Sequence, residues 1–264
     1  MSEPLLVVEQ LEVIYNKVAT AIQGVSLEVH RHEIVAVVGT NGAGKTTTMR
    51  AISGFLPAED VEITDGTITY EGKRIDGHPP FELSRDGIVL VPERNKVFET
   101  LTVEENLLFN LPMRQRSGGN MAQVYDYFPQ LAERRSQVAG YMSGGEKQML
   151  AIGMALLCKP DMLLIDELSL GLAPIIIEHL METLKRMNDE LGLTILLVEQ
   201  NAMAAFAIAN SGYVMEGGRV VYSGKVADLL AHQDIQEFYL GGADRASRSY
   251  RTVKQYSRKR RWWG

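Results

Sequence analysis

Gly39-Thr40-Asn41-Gly42-Ala43-Gly44-Lys45-Thr46 follows directly on the apolar run Ile34-Val35-Ala36-Val37-Val38. Two glycines framing four spacer residues and closing on Lys-Thr, between a strand and a helix, make a loop that cradles phosphate. The glycines let the backbone curl so that successive N–H groups face one anion, and a helix starting near Gly44 adds its positive end. In such a loop the lysine, Lys45, reaches the β- and γ-phosphates and the hydroxyl of Thr46 holds Mg²⁺. The expected ligands are therefore ATP and Mg²⁺. Gly39, Asn41, Gly42, Gly44, Lys45, Thr46 and Thr47 are the nucleotide-binding candidates.

Met162-Leu163-Leu164-Ile165-Asp166-Glu167 is an apolar run ending in two carboxylates. A buried strand delivers both acids to its carboxyl end, where ligands bind in open α/β sheets. Side chains alternate along a strand, so the two acids point different ways. Asp166 is assigned to the metal, directly or through water, and Glu167 to the attacking water as general base. Some twenty residues before that strand, Ser143-Gly144-Gly145-Glu146 precedes the apolar stretch Met149 to Leu157. It reads as a helix start, with Ser143 as cap and the glycines exposing N–H groups. Such an end either simply caps its helix or offers a second phosphate-binding surface. One chain already has its phosphate loop, so a second surface implies ATP shared between two chains.

The elements that position these groups alternate. Leu5 to Val8, Leu11 to Tyr15 and Val25 to Val29 are short strand candidates, and Thr67 to Tyr70 runs into a turn at Glu71-Gly72. Thr102 and Glu105 form a capping-box pattern at the head of a helix, and residues 121–137 are again helical in pattern, with a loop at Ser117 to Asn120 between them. Strand 162–166, helix 175–191 and strand 194–199 follow, then a hairpin over 213–224 around Gly217-Gly218. This order predicts an α/β fold, a mostly parallel sheet flanked by helices, with residues 95–155 as a helical insertion.

Composition narrows the class. With 264 residues, 45% hydrophobic and 23% charged, the chain is ordinary for a globular protein of one large or two small domains. No apolar stretch reaches the ~20 residues that cross a bilayer. Met1-Ser2-Glu3-Pro4 lacks the features of a secretion signal, and Cys158 is the one cysteine. Together these point to the cytosol. The five histidines show no metal-ligand spacing and are expected on the surface; Met142, Met149 and Met154 are expected in the core. The net charge of −6 is uneven. From Arg245 to Gly264 every charged residue is basic, so the body is more acidic than the whole, which argues against nucleic acid as a partner. The tail also carries Tyr250, Tyr256, Trp262 and Trp263, a mixture that suits anionic lipid, a solubilising role or folding back onto the acidic body.

The phosphate loop, Ser143-Gly144-Gly145-Glu146 and Asp166-Glu167, in this order and spacing, resemble the Walker A, signature and Walker B motifs of ATP-binding cassette (ABC) ATPases. The resemblance runs from residue 5 to about residue 240. It implies a P-loop NTPase fold for residues 1–244: a mixed-sheet core, an N-terminal antiparallel β subdomain, and a helical subdomain at about 95–155. Residues 245–264 are then a basic aromatic tail. It further implies that Tyr15 stacks on adenine and that Ser143, Gly144 and Gly145 touch nucleotide. Pro92-Glu93 occupies the loop that couples nucleotide to a transmembrane partner; Glu93 stands where glutamine is usual and joins Thr46 and Asp166 on the metal side. Ser169 to Pro174 replaces the D-loop without its usual aspartate, and Gln200 stands where a histidine usually senses the γ-phosphate, beside Glu167 and Lys45 as catalytic groups.

Val91-Pro92-Glu93-Arg94, Leu170-Gly171-Leu172-Ala173-Pro174 and Val198-Glu199-Gln200-Asn201-Ala202 narrow the resemblance to the LivF-type ATP-binding subunit of branched-chain amino-acid importers. That family implies a second ATPase subunit, two transmembrane permeases and a solute-binding protein, with this chain peripheral on the cytoplasmic face of the membrane. Urea and short-amide importers use a similar subunit. An exporter or lipid-extraction ATPase, and a soluble cassette protein acting on nucleic acid or ribosomes, are the competing readings.

Overall fold

Two sheets share the task of positioning the phosphate loop. The computed structural model describes residues 3–56, 61–94, 96–109 and 121–236. In the first sheet β1 (Pro4–Tyr15), β2 (Ala19–His30), β4 (Val61–Tyr70) and β5 (Lys73–Arg74) are all antiparallel, in the order β2-β1-β4-β5. The second holds β3 (Ile34–Gly39), β6 (Ile88–Val91), β7 (Met162–Asp166), β8 (Thr194–Glu199), β9 (Ser211–Glu216) and β10 (Arg219–Lys225), in the order β10-β9-β3-β8-β7-β6. Its pairings are parallel except for the edge strand β10, so the sheet is mixed.

β3, β7 and β8 are buried along their whole length. Their near-continuous apolar sequences are those of strands covered on both faces. The two-residue side-chain period divides them between two cores. Ile34, Ala36, Leu163, Ile165, Ile195 and Leu197 face one cluster. Val35, Val37, Met162, Leu164, Leu196 and Val198 face the other, which contains α1 (Lys45–Ser53) and the antiparallel sheet. α2 (Pro80–Arg85) leads into β6. The first core is closed by α3 (Val103–Phe109), α4 (Met121–Tyr127), α5 (Pro129–Glu133), α6 (Gly144–Leu157), α7 (Pro174–Leu191) and α8 (Ala202–Ile208). α9 (Val226–Ala231) and α10 (Gln233–Ile235) finish the described chain.

The helical pattern over residues 121–137 is broken in the structure. Phe128 leaves helical geometry at φ −132°, ψ 74°, and Pro129 starts α5, where a missing N–H costs nothing. The two expected strands at 5–8 and 11–15 are one strand, β1. It absorbs the polar pair Glu9-Gln10 as an irregularity, with Gln10 at φ +47° opposite Gly66. The hairpin over β9 and β10 turns at Gly217-Gly218, both at positive φ. His179 is half-buried, unlike the surface position expected of it, with Nε2 enclosed and unpartnered. The three core methionines are buried as expected. The loop at 117–120 and the basic tail lie outside the described residues.

Candidate active site

Strand register assembles the site. β3 pairs with β8 so that Val38 faces Glu199, and β7 pairs with β8 so that Asp166 faces Val198. The carboxyl ends of three neighbouring strands therefore deliver Gly39, Asp166-Glu167 and Glu199-Gln200 to one edge of the sheet. The phosphate loop turns over that edge. Gly44 caps α1 in the left-handed region, φ +98°, with no side-chain cap, leaving the first N–H groups of the helix unspent. A Cβ at Gly44 would lie 2.5 Å from Ile22 Cγ2, so glycine is required by space as well as by φ.

Lys45 is almost wholly buried, 3% exposed. Its ammonium donates to the carbonyls of Gly39 (2.9 Å) and Thr40 (3.2 Å) and pairs with the Glu167 carboxylate at 3.3 Å. The Thr46 hydroxyl donates to Asp166 Oδ1 at 3.1 Å, across 120 residues of sequence. Burial pushes the Asp166 carboxyl up to about 6; the Thr46 bond opposes this, and the charges of Glu167 and Glu93 add to it. Glu167 holds an αL backbone at φ +48°, uncommon for a residue with a side chain. Local strain of this kind costs on the order of 1–3 kcal/mol and gathers at functional sites. Here it re-aims the carboxylate directly after the strand.

Asn41, Gly42, Gly44, Lys45, Thr46, Thr47, Glu93 and Glu167 line one cleft of ≈ 660 Å³. Ser143, Gly144 and Gly145 are not among its lining residues. They begin α6, where Ser143 caps and forms a complete capping box with Glu146. Ser143 and Gly144 are exposed and Gly145 is buried against Ile176. The structure thus brings the phosphate loop and the Asp166-Glu167 pair together, and leaves the signature-like residues on a separate, open surface.

The model of the ABC transporter family matches residues 22–169. The chain belongs to that family. It is 43% identical over 90% of its length to the whole of BraG of Pseudomonas aeruginosa, a high-affinity branched-chain amino acid transport ATP-binding protein. A probable branched-chain amino acid transport ATP-binding protein, LivF of Archaeoglobus fulgidus, is 34% identical over 83% of the chain and 92% of the relative. Among solved structures, the ADP conformation of MJ1267, an ATP-binding cassette of an ABC transporter, superposes with a TM-score of 0.79. It is 25% identical, covering 91% of this chain and all of that one.

The remaining candidate residues of the cassette fall around the same edge. Tyr15 ends β1 with its hydroxyl 3.4 Å from Thr47 Oγ1, beside the first turn of α1. Glu93 is held by Arg94 at 2.9 Å and looks into the cleft. Gln200 is exposed and shares a smaller cavity with Glu167, Ser169 and Glu199. That cavity shows a residue the motif reading passed over. Glu199 is fully buried and accepts from both the N–H of Ser169 (2.9 Å) and its hydroxyl. Burial raises its pKa, the Ser169 bonds oppose the rise, and Glu167 adds to it. It ties the segment after β7 to the end of β8. An acid closing an apolar strand was the available signal, but its partner lies 30 residues away.

The donors present fit Mg²⁺. Thr46 and Asp166 offer hard oxygen ligands side by side, in a pocket where the charges of Glu167 and Glu93 add to the rise of the Asp166 carboxyl. Among the described residues no cluster of three or more His, Cys, Asp or Glu forms a closed metal cage. Mg²⁺ commonly binds through one or two protein groups together with substrate phosphates and water.

Proposed function

We propose that this cassette is the ATP-hydrolysing subunit of an importer for branched-chain amino acids, working with a second cassette and two permeases at the cytoplasmic face of the membrane. The observation that carries the ATPase part is the convergence of Lys45, Thr46, Asp166 and Glu167 on one cleft at the carboxyl edge of the sheet. The solute rests on the names of the relatives, BraG and LivF. Among the described residues no helix is long and apolar enough to cross a membrane.

The backbone N–H groups of the loop and of the start of α1 bind the phosphates, and Tyr15 supports the adenine. Thr46 and Asp166, with Glu93 nearby, would hold Mg²⁺, which would supply neutralisation of phosphate charge. Lys45 pairs with Glu167 at 3.3 Å. A γ-phosphate draws the Lys45 charge to itself, which leaves the Glu167 carboxylate free to take a proton from the attacking water. Gln200 reaches the same phosphate with a neutral amide. Ser143, Gly144 and Gly145 of one subunit complete the site of the other, because within one chain they stand apart from the cleft. Hydrolysis is thereby tied to closure of two cassettes against each other.

Uptake of labelled leucine, urea and short amides by cells lacking this chain tests the solute. Loss of leucine uptake with urea and amide uptake retained is expected. Loss of urea or amide uptake alone would move the chain to that importer class.

A further inference from the structure

The start of α6 carries a charge of the wrong sign for its proposed task. Glu146 is the third residue of the helix, and its Oε2 accepts from the Ser143 N–H and from the Ser143 hydroxyl, each at 2.8 Å. A carboxylate one hydrogen bond from Ser143 repels any phosphate that Ser143 is to meet. The other oxygen, Oε1, pairs with Arg134 at 2.7 Å. Burial pushes the Glu146 carboxyl up, but the two Ser143 bonds and the Arg134 charge outweigh it and hold it below its ordinary value, so the acid is ionised at neutral pH.

Arg134 is itself held in place. Its Nη1 donates to Gln137 Oε1 at 3.2 Å, and Gln137 Nε2 donates to the Tyr141 carbonyl at 3.3 Å, two residues before Ser143. The chain of contacts runs from the segment after α5, through the turn Ala139–Tyr141, to the cap of α6.

We infer that Arg134 is a positioning residue for ATP in the facing subunit, acting by neutralising Glu146 so that the Ser143 end of α6 accepts a γ-phosphate. The inference rests on the shared-site reading given under the proposed function. The alternative role for Arg134 is mechanical, as one more surface ion pair, of little value by itself. The two roles separate because a glutamine at position 146 caps a helix as a glutamate does, yet carries no charge.

The test uses the assembled complex with this chain carrying Glu167→Gln, so that turnover comes from the facing site. Arg134→Gln should slow single-turnover hydrolysis there about fivefold, equivalent to ~1 kcal/mol, and Arg134→Lys should restore most of it. Adding Glu146→Gln to Arg134→Gln should return the rate to within about twofold of the parent. Melting curves of each variant exclude loss of fold. An unchanged rate with Arg134→Gln, or a double variant as slow as the single, would overturn the inference. Ser143→Ala is the control for the underlying reading. If it leaves the facing site at full speed, the shared site fails and this inference with it; if it slows that site while Arg134→Gln does not, the inference alone fails.

Discussion

The cleft at the end of the sheet and the open start of α6 handle charge in opposite ways. In the cleft, Lys45 is buried and already paired with Glu167, and Thr46 already touches Asp166. Its groups lie on the ends of β3 and β7 and the first turn of α1, and the chain satisfies them by itself. At α6, Ser143 and Gly144 are exposed, the acid beside them is offset by a half-exposed arginine, and neither residue lines the cleft. The first region is a finished half of a phosphate-transfer site. The second is a finished cap and an unfinished contact. On the proposed function, the difference accounts for two phosphate-directed helix starts in one chain: chemistry built within the subunit, and permission for it from the neighbour.

Variants can break or sharpen this contrast. The largest expected effect is Lys45→Ala. It removes the cleft's only cation within contact of Glu167 among the described residues, and removing one preorganised electrostatic group costs about a hundredfold or more in turnover. Single-turnover hydrolysis at the Lys45 site, read in the assembled complex with the facing site disabled, should be abolished, and near-normal cleavage there would contradict the assignment of the cleft. A smaller effect is expected at Gln200. A neutral amide stabilises developing phosphate charge less than a cationic donor does, so Gln200→His should raise single-turnover hydrolysis at the Lys45 site about fivefold, for ~1 kcal/mol. No change would make glutamine a full replacement. The smallest is Thr102→Ala, at the capping box of α3, where Glu105 Oε2 accepts from the Thr102 N–H at 2.8 Å and from its hydroxyl at 2.9 Å. This cap backs onto the Gln137–Ala139 segment through the Thr102–Val138 bridge but is not among the residues lining the cleft, so its loss should cost about 1 kcal/mol of stability and leave hydrolysis unchanged. A large fall in turnover would show that the helical region is coupled to the cleft more tightly than its contacts suggest.

The cleft was legible in the sequence because its residues are contiguous. Gly39 to Thr46 and Asp166-Glu167 are runs whose spacing itself encodes strand, turn and helix, and the buried β3, β7 and β8 appear where the apolar runs place them. The caps at Ser143 and Thr102 were legible for the same reason: each is a four-residue pattern. Glu199 and Arg134 were not, because their partners Ser169 and Glu146 lie 30 and 12 positions away and meet only after the fold has formed. The break of the 121–137 pattern was written in Pro129, but periodicity alone runs through it. The Lys45–Glu167 pair belongs to the same class, joining two motifs that the sequence shows separately.

The central claim, that the cleft of one chain is closed by the α6 start of another, is tested most directly by association. Glu167→Gln should bind ATP without cleaving it, and size-exclusion chromatography with the partner cassette should then show a stable ATP-dependent dimer that is lost when Ser143→Ala is added. Equal association with and without ATP, or a dimer indifferent to Ser143, would contradict the account.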